Sequence, residues 1–395
     1  MNIIRRFLLF CFLCLSLVSG ARAEMQISVL TCSPGDEVYA LYGHTALRCR
    51  DVSTGRDEVF NYGLFDFNTP NFAWRFVIGE TDYMVGHVYY RDFVPEYELR
   101  GSGIVEQVLN LTEEEAEALY GLLLENVKPE NRVYRYRYID NNCTTKARDK
   151  ILEALSGSGA VVYKGSPAKL TTYRDAMNIP IETSPWYVFG MNLLLGADVD
   201  EEPSREAMQF LPENFMNDLA GAYIVAPDGT ERKLVSQTNI LLKEKEKTAE
   251  RNNFTPFNVS LLLLLGTFIT MLCELRKRKT YWGVDLVLMS LQGLPGLLLL
   301  FMALFSQHPA VDCNWLVLLL NPLALVLMPM MVSRIRKHKS MKIAWVQVAF
   351  VALFLLTAMF GFQVYPTPIY FCAMALLARA LFHLYKDKIC ELNIV

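Results

Sequence analysis

Histidine is scarce in this chain. There are five in 395 residues, and only His44 and His87 fall between residues 24 and 250. Beyond residue 24 no C-x-x-C pair and no histidine pair at helical spacing occurs, so no metal-ligand spacing is present. Positive charge is not in excess: 38 Lys and Arg face 41 Asp and Glu, for a net charge of −3. No basic stripe with interleaved aromatics appears, which argues against a nucleic-acid partner. Internal repeats and low-complexity tracts are missing too. What is plentiful is apolar surface. Hydrophobic residues make up 52% and the mean hydropathy is +0.21, too apolar for an ordinary soluble enzyme.

That excess is local. Arg5 and Arg6 precede an apolar run from Phe7 to Val18, and Ala21-Arg22-Ala23 follows as an A-x-A site. This reads as a secretory signal peptide, residues 1–23, with an uncleaved anchor as the alternative. Either way the next 220 or so residues are exported. Five more apolar runs follow: Phe257–Leu275, Trp282–Phe305, Trp315–Val332, Ile343–Phe362 and Ile369–Leu384. Each approaches the ~20 residues that cross a hydrocarbon core as a helix. Arg276-Lys277-Arg278-Lys279 follows the first run, Arg334 to Lys339 the third, and Lys386 and Lys388 the fifth. The other two loops carry no Lys or Arg, so the basic loops belong on the cytoplasmic side. That orientation puts the segment before residue 256 outside, as the signal peptide independently requires.

The organisation expected is an exported α+β domain at 24–240, a charged linker at 241–255, an all-α bundle of five transmembrane helices at 256–386, and a cytoplasmic tail at 387–395. Within the exported domain, Gln26–Thr31, Tyr42–Arg50, Glu58–Phe65 and Val133–Ile139 read as strands. Thr112 with Glu115 forms a capping box for a helix to about Asn126. Asn142 is a strong N-cap for a second helix over Thr144–Leu155, with Gly157 as its C-cap. Trp186–Leu219 reads as mostly helical.

Nine cysteines are present, and Cys32, Cys49 and Cys143 lie in the exported domain. Cys32 and Cys49 flank one strand unit and are candidates to pair, which would leave Cys143 alone. Cys143 has three readings: a buried apolar thiol, half of a disulfide, or a nucleophile. Its position favours the last. At a helix start, unpaired N–H groups and the macrodipole stabilise a thiolate, and the same N–H groups can hold an oxyanion. A cysteine nucleophile needs a base, and His44, in mid-strand with a fixed ring direction, is the candidate. The alternative for His44 is a structural histidine. Asn61 is the candidate to orient the ring, with Asp66 and Asp140 as competitors.

The stretches YGHTALR, FNYGLFDF, LNLTEEE and DNNCTTKARD carry a resemblance. A histidine on an early strand, a polar residue on the next and a cysteine opening a later helix resemble the circularly permuted NlpC/P60 thiol fold, a papain-like arrangement. More closely, these stretches, with Ser306-Gln307-His308 and Asn321-Pro322, resemble the Lnb-type lipoprotein N-acyltransferase family of Bacteroidetes. Cys49 departs from the aliphatic residue usual on such a strand. The resemblance implies an acyltransferase with Cys143 and His44 as its pair and no cofactor or metal. It implies a phospholipid acyl donor, a diacylglyceryl lipoprotein acceptor, and a multi-pass place in the bacterial inner membrane with the thiol on the periplasmic side. A cell-wall cysteine peptidase or amidase, a phospholipase, and a non-enzymatic membrane scaffold or sensor remain as alternatives.

Polar residues within the spans are costly in lipid. Asp285 and Arg379, near cytoplasmic ends, are expected to snorkel. Gln292 and Asn321 are expected to bond between helices. His308 and Asp312, in an exported loop, are secondary candidates to approach the thiol.

Overall fold

The structure is a computed structural model that describes residues 25–165, 171–245 and 253–391. The proposed signal peptide, part of the linker and the last residues of the tail lie outside the described residues. In chain order the first elements are β1 (Met25–Cys32), β2 (His44–Asp51), β3 (Arg56–Leu64), α1 (Phe72–Val77), β4 (Asp82–Tyr89), α2 (Tyr90–Arg100), β5 (Ile104–Leu109), α3 (Glu113–Asn126), β6 (Val133–Arg135) and α4 (Cys143–Leu155). There follow β7 (Ala160–Tyr163), α5 (Tyr173–Asn178), α6 (Pro185–Leu194), α7 (Arg205–Met208), α8 (Pro212–Ala220), β8 (Ala222–Val225), β9 (Glu231–Lys233) and β10 (Val235–Leu242). The apolar helices are α9 (Pro256–Lys277), α10 (Trp282–Phe305), α11 (Leu323–Arg336), α12 (Ala344–Met359) and α13 (Thr367–Glu391).

The chain divides into two compact units that do not follow chain order. One takes the residues up to Phe67, then Asp82–Lys169 and Arg205–Glu246. The other joins Asn68–Thr81 and Leu170–Ser204 to everything from Lys247 onward. Two segments of the stretch expected to be exported therefore pack with the apolar helices and not with the sheet.

The first unit is α+β. Its main sheet has seven antiparallel strands in the order β10-β5-β1-β2-β3-β4-β6, and β7-β8-β9 form a small second sheet. Period-two alternation gives the main sheet two buried faces. Ile27, Val29, Leu47, Phe60 and Tyr62 meet Leu119 and Leu123 of α3 and Ala147 and Ile151 of α4. On the opposite face Leu30, Cys32, Ala46, Val59 and Ile104 meet Phe93 and Tyr97 of α2. Each large apolar side chain so buried contributes ~1.5–3 kcal/mol. Arg48 is buried between them, with Asp57 at 2.6 Å, Glu106 at 2.9 Å and the Tyr90 ring 3.6 Å below, so it ties three strands to α2.

Several expectations change. Val133–Ile139 is a strand only to Arg135; beyond it Arg137 and Asn141 bridge a turn. Helix α4 ends on Ser156, not Gly157. Cys32 and Cys49 are both free. Cys32 pairs across the ladder with His44 and Cys49 with Ile27, five rungs apart. That is roughly 17 Å along the strand, and an odd spacing points the two thiols to opposite faces, so no disulfide joins them.

In the second unit α9, α10 and α13 are long and apolar enough to cross a membrane, and α12 is a shorter apolar helix. The remaining span, Trp315–Arg336, is broken. A helical turn at Trp315–Leu318 is followed by Asn321-Pro322 before α11 begins. Asn321 accepts from the Leu323 N–H at 3.0 Å and so caps its own segment, where an interhelical bond was expected. Gln292 of α10 does bond between helices. It donates to the Leu319 carbonyl at 2.7 Å and accepts from Gln347 at 3.0 Å, satisfying backbone that the break frees.

The expectation that Asp285 and Arg379 snorkel is wrong. Both are buried, and they belong to one network on α9, α10 and α13. Arg379 donates to Glu274 at 2.9 and 3.0 Å and to Asp285 at 2.7 and 2.8 Å, and His383 lies 2.7 Å from Asp285. Facing carboxylates within the bundle hold the guanidinium where water was expected to.

Candidate active site

The site forms where β2 begins and β3 ends. Gly43 turns the chain into β2 with φ +76°, and a Cβ there would lie 2.6 Å from the Cys32 carbonyl oxygen. The turn leaves His44 as the first residue of its strand, not in mid-strand. On β3 the register slips between Asn61, opposite Gly86, and Leu64, opposite Met84. One extra residue is a bulge, a feature common beside active sites. Gly63 lies in it with φ +89°, and a Cβ there would come 3.6 Å from the Cys143 Cβ. The bulge thus lets the start of α4 approach the strand end.

Helix α4 begins at Cys143 because Asn142 caps it. The Asn142 Oδ1 accepts from the N–H groups of Thr144 at 2.9 Å and Thr145 at 3.0 Å. Its Nδ2 donates to the carbonyls of Tyr138 and Phe210, both at 2.8 Å, and its N–H donates to the Thr145 hydroxyl at 2.8 Å. The cap therefore claims two of the N–H groups that the helix start was expected to offer to an oxyanion. It leaves the N–H of Cys143 itself.

The structure brings together Cys143, His44 and Asn61. The His44 Nε2 lies 2.5 Å from the Asn61 Oδ1. An amide oxygen only accepts, so Nε2 carries a proton and Nδ1 is left to face the thiol. Cys143 is 8% exposed. Burial alone pushes its thiol up, but the charge and hydrogen bond of His44, the Thr45 N–H and the Thr144 hydroxyl outweigh it and hold it below the ordinary thiol value of 9.0. For His44, burial pulls the other way. The Cys143 charge and the hydrogen bonds to Cys143 and Asn61 overcome it and raise the ring above its usual 6.5. The two shifts are reciprocal: each group favours the charged form of the other, and the titration belongs to the pair.

Thr45 and Tyr97 also shape the site, and the sequence reading did not name them. Thr45 Oγ1 lies 3.1 Å from Thr144 Oγ1 and pins β2 to α4. The Tyr97 ring stacks beside His44, with centroids 6.4 Å apart and planes at 21°. Thr45 has a weak signal, as the neighbour of the only well-placed histidine. Tyr97 has none, since only the fold brings α2 across β2. Tyr134 and Tyr136 stand near the sulfur, and burial pushes both hydroxyls well above their ordinary value, so the surrounding wall is neutral.

The other candidates go elsewhere. Asp140 pairs with Arg137 at 2.9 Å on the surface, and Asp66 is exposed. His87 stacks on Phe60 at 4.7 Å and sits 3.4 Å from Glu58. His308 meets the segment 68–81: its Nε2 lies 2.6 Å from the Phe76 carbonyl and its ring packs on Phe76. Among the described residues, no group of three or more His, Cys, Asp or Glu is placed to hold a metal ion.

Two family models match the chain. The Lnb N-terminal periplasmic domain matches residues 21–177, and the Lnb transmembrane domain matches residues 247–388. The chain belongs to the Lnb family. It is a multi-pass membrane protein with a periplasmic N-terminal domain, the orientation expected from the basic loops. The Lnb periplasmic match spans His44, Asn61 and Cys143. No curated protein and no solved structure matches the chain.

Proposed function

We propose that this Lnb-family protein is a lipoprotein N-acyltransferase of the bacterial inner membrane. The observation that carries the reading is the His44 ring, with its Nε2 2.5 Å from the Asn61 Oδ1, set beside a Cys143 thiol that it holds below its ordinary value. A thiolate activated in this way is a nucleophile for acyl groups.

In the first half-reaction the Cys143 Sγ attacks the ester carbonyl carbon of a phospholipid. The Cys143 N–H lies at the helix start to support the oxyanion. The carbon–oxygen ester bond breaks, His44 gives its proton to the departing oxygen, and a lysophospholipid leaves. The acyl chain remains as a thioester on Cys143. In the second half-reaction the α-amine of a diacylglyceryl-cysteine, at the N-terminus of a lipoprotein, attacks the thioester. His44 takes the amine proton, the carbon–sulfur bond breaks, and Cys143 returns to its thiolate. The products are an N-acylated, three-chain lipoprotein and one lysophospholipid. The neutral wall near Cys143 suits an acyl chain, and the transmembrane domain suits substrates that both reside in a membrane leaflet.

The test is intact-lipoprotein mass spectrometry in a strain that depends on this protein. Wild type is expected to give N-acylated lipoproteins, and Cys143→Ser and His44→Ala to give free α-amines. Fully N-acylated lipoproteins in both variants would overturn the reading. Lysophospholipid release without N-acylation would make the protein a phospholipase.

A further inference from the structure

Helices α6 and α10, both in the second unit, line a groove of about 370 Å3, within the ~300–1,000 Å3 range of ligand sites. Tyr187, Gly190, Met191 and Leu194 recur at helical spacing and form the stripe that α6 turns to it. Pro295 and Leu298 line it from α10, and the buried Leu299 is its floor. Among the described residues, no charged side chain lines it.

Its level follows from α10, which ends at Phe305 before an exported loop. Leu299 and Pro295 stand about 9 and 15 Å in from that end, at ~1.5 Å per residue. Half of a ~30 Å hydrocarbon core is about 15 Å, so the groove lies among the chains of the outer leaflet, below the headgroups. Helix α6 can lie at that depth because its last carbonyls are satisfied. Asn314 donates to those of Leu193 at 2.8 Å and Leu194 at 3.2 Å, and Gln363 donates to that of Leu195 at 3.0 Å. Both donors belong to exported loops, which holds α6 at the outer end of the bundle. At its start the Trp186 indole donates to the Phe254 carbonyl at 2.7 Å, just before α9. Gly190 stands inside α6, where glycine costs stability relative to alanine. A Cβ there would meet nothing within 4 Å, so packing does not require its smallness. What the missing side chain leaves is room in the groove.

We propose that this groove holds one acyl chain of an outer-leaflet phospholipid, which enters sideways from the bilayer. The groove is continuous with the lipid-facing surface of α10, where Leu294, Leu297 and Leu304 are exposed. Left open at that depth, its lining would forfeit dispersion contacts that a chain restores. A headgroup would meet no charged partner there. Gly190 admits the chain against the α6 backbone. Occupancy requires neither the thiol nor acyl transfer, so the site stands or falls apart from the chemistry at Cys143.

The experiment uses the full-length protein in phosphatidylethanolamine vesicles doped with the same lipid carrying a diazirine in mid-chain. After irradiation, peptide mapping is expected to place the label on 187–194 and 295–299 above the rest of α10. Native mass spectrometry in mild detergent is expected to show one retained phospholipid per chain. Gly190→Leu fills the groove, and both readouts are expected to fall about tenfold. Its thermal unfolding midpoint should hold or rise, because leucine is the better helix former. Gly190→Ala gains helix propensity with little bulk, and is expected to raise the midpoint and keep most of the label. Label spread evenly along α10 means annular lipid only and overturns the proposal. So does a Gly190→Leu protein that retains lipid as wild type does. A headgroup diazirine that labels these segments better than the chain diazirine overturns it as well. A wild-type dimer that Gly190→Leu dissociates would make a second copy the occupant, and displacement by an equimolar diacylglyceryl-cysteine peptide would make it a lipoprotein chain; either result overturns the proposal. If Gly190→Leu unfolds, the wild-type maps with the chain and headgroup labels decide alone.

Discussion

Two histidines in this molecule, one half-buried and one buried, are held by side-chain oxygens at nearly the same distance, and the two settings differ in kind. His44 faces the Asn61 amide at 2.5 Å, and His383 faces the Asp285 carboxylate at 2.7 Å. The amide fixes a tautomer without fixing a charge, which leaves the other ring nitrogen free to exchange a proton with Cys143. The carboxylate is already shared with Arg379, and Arg379 is shared with Glu274. There every strong group has a charged partner, and the network ties three helices. A histidine is available for chemistry where its partner orients it and leaves a proton to move. It is structural where its partners use up the charge.

That contrast breaks most sharply at the two histidine clusters themselves. His44→Ala removes the proposed base and is expected to cost about 10²–10⁴-fold in the rate of acyl transfer, with the thermal unfolding midpoint little changed. A loss confined to stability would put His44 in the structural class. Arg379→Ala is expected to do the reverse. It leaves Glu274 and Asp285 buried without their cation, a loss of ~3–5 kcal/mol, read as a drop in thermal unfolding of the detergent-solubilised protein. Acyl transfer at low temperature should persist; its abolition without a drop in stability would give the cluster a chemical role.

Smaller effects sharpen the thiol site. Transfer by this route needs the thiol deprotonated and the imidazole protonated, so the rate falls as pH drops through the depressed thiol value and again as pH rises through the elevated imidazole value, and the profile is a bell. Asn61→Ala removes a bond that raises His44, so the alkaline limb moves down, with up to ~100-fold loss from a mispointed ring. An unmoved alkaline limb would take Asn61 out of the pair. Thr144→Val removes a hydroxyl that lowers Cys143, so the acid limb moves up and the rate falls by about tenfold or less. A limb moving down would reverse the assigned role of that hydroxyl.

The thiol site was more legible in the sequence than the charge cluster, for reasons of range. Alternation over 26–31 and 58–65 and the capping residues Thr112 and Asn142 are local signals, and the structure has strands and helix starts there. The spans follow from run length and the basic loops. Hidden from the sequence was whatever depends on distant pairing. β10 joins β5 from more than a hundred residues downstream. The bulge at Gly63 needs the partner strand to define it. Glu274 and His383 read singly as polar residues near span ends, and only the packing of α9 and α13 against α10 brings them to Asp285. The segments 68–81 and 170–204 carry exported-domain positions in the chain yet fold with the apolar helices. Whether Cys32 and Cys49 pair was open in the sequence, and ladder parity decides it, since an odd separation sends side chains to opposite faces.

The most direct test is the covalent state of Cys143. Purified full-length protein incubated with a phospholipid and no amine acceptor should gain the mass of one acyl chain, located on Cys143 by peptide mapping. The adduct should be labile to hydroxylamine and discharged by a diacylglyceryl-cysteine peptide, which becomes N-acylated. An unmodified Cys143, or the same adduct on the Cys143→Ala protein, would contradict the account.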